Sequence, residues 1–157
     1  MAEIKYGWVK GPHKGVEYPI AASQYFHRRG GHFVYADTAG NLTLVASNVN
    51  KPLGWAETPK DAAGYSSWKS SATAKGDSAL VVTSRDAVFA IPALETTASL
   101  TASCVGDCCS IVTSGSTYTI VQYANIGLHT TDQLVIEAID KTNKIAYVRI
   151  ASFQGDT

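Results

Sequence analysis

The chain has 157 residues, enough for one domain that buries about 70% of its unfolded surface without metal or disulfides. Its charged fraction is 17%, below the roughly 25% of average proteins, and Lys plus Arg balances Asp plus Glu at 13 each. That balance argues against a nucleic-acid partner, because phosphate binding draws on a basic excess, and the doublet Arg28-Arg29 reads as a solvated strand end.

Residues 1–22 carry Tyr6, Trp8, Pro12 and Pro19 among several glycines, with no sustained apolar period. This pattern predicts an extended N-terminal arm with one short strand near Val16–Ile20, followed by a β domain over 23–157. Met1–Lys10 lacks the apolar core of a signal peptide. No run reaches the roughly 18–20 apolar residues of a membrane span, so no membrane partner is expected and the chain belongs in a cytosol until it is assembled. The sequon Asn41-Leu42-Thr43 is discounted for the same reason.

Tyr25–Asp37 reads as two short strands broken or bulged at Gly30-Gly31. A turn over Asp37–Asn41 leads into a return strand at Leu42–Ala46. Leu53–Glu57 is a further short strand. Thr58–Asp77, rich in Ala, Ser, Gly and Lys, predicts a long loop with Tyr65 and Trp68 embedded in it. Strands follow at Ser78–Thr83 and at Ala87–Ile91, the latter closed by Pro92. Ala93–Ser103 has room for one short helical turn. Ser110–Thr113 and Tyr118–Tyr123 are strands, and Asn125–Asp132 is a loop.

The strongest pattern is last. Gln133–Ile150 holds two period-two runs around Asp140-Lys141-Thr142-Asn143, a β-hairpin. Leu134, Ile136 and Ala138 fall on one face of the first run, and Val135, Glu137 and Ile139 on the other. Apolar residues on both faces predict a sheet covered on much of both sides. Nine or ten short strands with frequent turns indicate an all-β protein. The candidate architectures are a β-sandwich and a small barrel of antiparallel strands, with two small β subdomains split near residue 84 as a variant.

Local chemistry is sparse. Cys104, Cys108 and Cys109 cluster within C-V-G-D-C-C, but no second Cys pair completes a zinc knuckle. Reduced structural thiols, a disulfide and a metal site all stay open. His27 and His32 lie at an odd spacing that puts them on opposite strand faces. The carboxylates, from Asp37 to Asp140, are dispersed, and no nucleophile elbow, phosphate loop or zinc-protease motif occurs. The expectation is a non-enzyme without cofactor or metal. Trp8, Trp55, Trp68 and the tyrosines offer two readings, a sugar-stacking platform or core and interface aromatics.

The order of these pieces resembles the small head-decoration (cement) proteins of tailed bacteriophages. An aromatic N-terminal segment precedes a hairpin turning on D-T-A-G-N. L-G-W-A-E, a small-residue loop, V-F-A-I-P, V-G-D-C-C-S-I-V and the closing hairpin follow. The resemblance implies a protein made in the host cytoplasm that binds the outer capsid surface, clamps neighbouring major capsid subunits, and acts as a homo-oligomer, with a trimer favoured. Tyr6, Trp8, Tyr65 and Trp68 are the expected interface residues. The alternative is a carbohydrate-binding or adhesion module displayed on a virion or cell surface.

Overall fold

A computed structural model describes residues 6–27, 30–46, 51–58, 67–96, 98–115, 121–127 and 133–151, with backbone only at 27 and 67–69. The chain is all-β. Its strands are β1 (Gly7–Lys10), β2 (Gly15–Pro19), β3 (Tyr25–His27), β4 (Gly31–Ala36), β5 (Leu42–Leu44), β6 (Gly54–Glu57) and β7 (Ser67–Lys69). The second half adds β8 (Ser78–Val82), β9 (Val88–Leu94), β10 (Cys108–Ser114), β11 (Val121–Asn125), β12 (Leu134–Asp140) and β13 (Ile145–Ile150). The helical piece among the described residues is a 3-10 turn at Ala102–Cys104.

Six strands form one sheet in the order β1-β9-β11-β10-β12-β13, and β13 pairs back onto β9. The pairings of β9, β11, β10, β12 and β13 therefore close a ring, and closure removes edges that would otherwise template aggregation. Alternate residues point inward, as a pleated strand requires. Phe89 and Ile91 of β9, Cys109 and Ile111 of β10, and Ala146, Val148 and Ile150 of β13 are all buried in one core. The second sheet runs β2-β8-β6-β4-β5. It is bent so far that Ile20, just past β2, bridges to Leu42 of β5 at the opposite edge. One face of it carries Ile20, Val34, Leu42, Ala56 and Val81, and Phe26 of the small β3–β7 pair joins that cluster.

The other face joins the ring. Phe33, Trp55 and Val82 belong to the same core as Phe89 and Ile91. The Phe33 ring meets Trp55 at 4.9 Å and Phe89 at 5.4 Å, edge-on in both cases, while Trp55 stacks on Phe89 at 5.8 Å. Such pairs add about 0.5–1.5 kcal/mol each beyond their buried area. Gln122 of β11 crosses the same seam. Its Oε1 accepts from Phe33 N at 2.6 Å, and its Nε2 donates to Phe33 O at 2.9 Å and to Val45 O at 3.0 Å. A buried amide thus takes the place of a strand residue where β5 has ended.

Several expectations give way here. Residues 7–10 are a strand too, β1, which pairs with β9, while the strand expected near Val16–Ile20 is β2, which pairs with β8. The Gly30-Gly31 doublet explains part of this docking. Gly30 has φ +135, and a Cβ there would sit 1.9 Å from Tyr6 O; one at Gly31 would sit 2.0 Å from Ala56 O. The Thr58–Asp77 stretch is not wholly loop, because β7 pairs with β3.

Pro92 does not end its strand. Ala93 N–H turns toward Lys144 O, so the Pro92 nitrogen faces the opposite edge of β9. That edge is unpaired between Ala90, opposite Gly7, and Ala93, opposite Ala124, so no ladder bond is lost. The closing hairpin carries a bulge between Ile136 and Ala138. The extra residue moves the pattern by one, so Ile139 packs on the core and Ala138 is exposed. The hairpin is buried on its inner face and partly covered on the other, where Ile145 is buried, Val135, Tyr147 and Arg149 are half-buried and Glu137 is exposed.

Candidate interaction surface

The site is built on β1, which adds to β9 outside the closed ring. Only its first residue, Gly7, is buried; Trp8, Val9 and Lys10 face out. Trp8 and Val9 are 40% and 42% exposed. Val16 on β2 is exposed at 52%, so the outer strands of both sheets present large apolar side chains to solvent. Edge strands are ready sites for association, and most natural ones are blunted by charge.

The Trp8 ring is held in place. Its Nε1 donates to Gly11 O at 3.2 Å, and the ring lies 4.5 Å from the His13 ring, tilted by 44°. His13 Nε2 sits 2.5 Å from Glu57 Oε1, at the end of β6. The loop between β1 and β2 is therefore tied to the five-stranded sheet, and the indole is presented on a fixed base. Pre-organisation of this kind lowers the entropic cost of docking.

Beside it runs a groove of about 240 Å³, lined by Val9, Lys10, Val88, Glu137, Ala138 and Tyr147. The bulge makes it, by bringing both Glu137 and Ala138 onto the outer side of β12. Glu137 is committed to Arg149 of β13. Lys10 makes no ion pair among the described residues, so the groove has an apolar floor and one uncompensated positive charge. Sequence reading missed this groove; its trace was the Glu137-Ala138 doublet, where strict alternation slips.

The four expected interface residues part company. Tyr6 is half-buried, packs on the shared core and lines a small cavity with Trp55, Ile91 and Gln122. Trp8 is exposed on β1. Trp68 lies in β7, its backbone opposite Phe26, and Tyr65 falls outside the described residues. Trp55, read as part of a sugar platform, is 2% exposed inside the aromatic seam and cannot stack on a ligand.

Three further carboxylates, Glu95, Asp140 and Asp77, serve the scaffold. Glu95 accepts from Leu100 N at 2.8 Å and pairs with Lys144 at 3.2 Å. The Leu100 N–H, then the Lys144 ammonium, hold its carboxyl below the usual range. Asp140 closes the hairpin turn by accepting from Asn143 Nδ2 at 2.8 Å and Asn143 N at 3.1 Å, which lowers its carboxyl likewise. Asp77 accepts from Ser71 N at 2.6 Å. Among the described residues no three His, Cys, Asp or Glu gather as metal ligands, and the three cysteines are unbridged. His32 is buried against Phe26.

Comparisons with protein-family models, curated proteins and solved structures give no match.

Proposed function

We propose that this protein is a non-enzymatic capsid decoration protein of a tailed phage, which binds the outside of the head and clamps neighbouring major capsid subunits. The observation that carries the reading is the exposed Trp8-Val9 pair on an edge strand beside an apolar groove. A ring closed on itself and a sheet locked to it supply a rigid body, and β1 supplies the anchor. Asp37, Asp77 and Asp140 brace turns and Glu57, Glu95 and Glu137 pair with His13, Lys144 and Arg149, which leaves these six to the scaffold and favours a binding role. Zero net charge suits dense packing on a shell. As a homotrimer the protein would offer three such anchors, so modest contacts multiply into tight retention.

Cosedimentation with expanded and unexpanded phage heads tests the proposal. Binding to expanded heads, weakened at least tenfold by Trp8→Ala with the fold intact, supports it. Stable monomers that bind neither form of head overturn it. The carbohydrate-binding alternative predicts glycan-array binding, and with Trp55 inside the core that binding would depend on Trp8 or Trp68.

A further inference from the structure

The three cysteines are unused by the surface above, and their placement separates them. Cys109 is fully buried and points into the ring. Cys104, 7% exposed, joins the same core cluster, yet with Cys108 it also lines one hollow of about 320 Å³ at the ring's rim, together with Ser99, Thr101, Ser103 and Asp107. Between them the chain makes a type II turn. Val105 has φ −63 and ψ 127, Gly106 has φ 92, and Asp107 N–H donates to Cys104 O at 3.0 Å. The turn folds the segment back on itself, so that both cysteines open onto the same space. It is braced against β12 by Gly106 N–H to Ile136 O at 2.8 Å and Ile136 N–H to Asp107 O at 2.9 Å.

We propose that Cys104 and Cys108 form a reversible dithiol–disulfide pair. Cys108, half-exposed, is the entry thiol, and Cys104, 7% exposed, is the resolving thiol. The oxidant is a low-molecular-weight disulfide. The Cys108 thiolate attacks one of its sulfurs and releases one small thiolate. The Cys104 thiolate then attacks Cys108 Sγ and releases the second. The two cysteine protons end on the two small thiols, so one external disulfide is reduced for each bond formed. Such exchange is governed by access and thiolate character.

In the dithiol form Cys104 braces the 3-10 turn. Its Sγ accepts from Thr101 N at 3.5 Å, and its S–H donates to Ser99 O at 3.5 Å. Disulfide formation removes the S–H that Ser99 O accepts, so oxidation loosens residues 98–103. The pair thus reports the redox state of its surroundings through one segment at the rim.

The test is titration of the intact protein with oxidised glutathione, followed by thiol counting under denaturing conditions and peptide mapping. The expected result is a fall from three free thiols to one, a Cys104–Cys108 link, reversal by dithiothreitol and faster hydrogen exchange at Thr101. Cys104→Ser should stop at a mixed disulfide on Cys108, and Cys108→Ser should leave the remaining thiols free. A link that includes Cys109, a link between chains, a mixed disulfide that persists in the wild type, or no loss of thiol overturns the proposal. If either variant fails to fold, the wild-type peptide map alone decides.

Discussion

β1 and β13 pair with the same stretch of β9, yet they contribute in opposite ways. Ala90 stands opposite Gly7 on one side and opposite Tyr147 on the other. β13 closes the ring and sends Ala146, Val148 and Ile150 into the core. β1 lies outside the ring and buries only Gly7 of its four residues. Backbone pairing is similar in the two, so the difference lies in the side chains. Burial of apolar area holds the fold, while net hydrogen bonding adds little beyond what water already offers. One partner of β9 is thereby scaffold, and the other is free to carry a surface.

The contrast is broken most strongly at the shared strand. Phe89→Ala removes a ring that packs on both Phe33 and Trp55 and opens a cavity in the seam; it should cost about 3–5 kcal/mol, read from urea unfolding. Val148→Ala, on the ring side, should cost about 2 kcal/mol with the slope of the transition unchanged. Trp8→Ala, on the edge side, should cost at most about 1 kcal/mol while weakening head binding. A Trp8→Ala loss equal to that of Val148→Ala would place β1 among the scaffold strands.

The smallest effect concerns the hairpin turn. The Asp140 carboxyl is held below its ordinary value by Asn143, so the carboxylate form is favoured in the folded state. That contribution is complete above about pH 4, the ordinary Asp value, and is lost as pH falls through the lower folded value. Asp140→Asn should therefore lower Tm slightly at pH 7, and the gap to the wild type should close below about pH 4. A gap that is constant from pH 7 to pH 3 would show that the carboxylate plays no part.

The closing hairpin was legible because two long alternating runs flank a polar turn, and strands with buried alternate residues leave that mark. β1 was not legible. Its four residues carry one buried glycine, and its pairing with β9 joins segments about 80 positions apart. β7 hid among serines and alanines because its partner β3 lies far back in the chain. Pro92 misled for a different reason. Proline ends a strand only when its nitrogen faces a partner, and the gap between β1 and β11 is invisible in one dimension. The groove needed the bulge at Glu137 and the nearness of Val9 to Tyr147, both tertiary facts. The glycine doublet announced a break or bulge, not the close approach of the Tyr6 carbonyl to Gly30.

Gln122 carries a consequence for the order of folding. Its amide satisfies Phe33 and Val45 across 89 and 77 positions of sequence. While a ribosome is still making the second half, the backbone of Phe33 and its ring have no partner from that half. The first half leaves the ribosome with an unfinished face, and long-range closure of this kind is slow. Release of the full chain thus gates the native state. A fragment stopped before residue 85 would display the aromatic seam to solvent and aggregate through it, whereas the complete chain keeps that seam dry and, among the described residues, leaves Trp8, Val9, Val16 and Val105 as its exposed large apolar side chains.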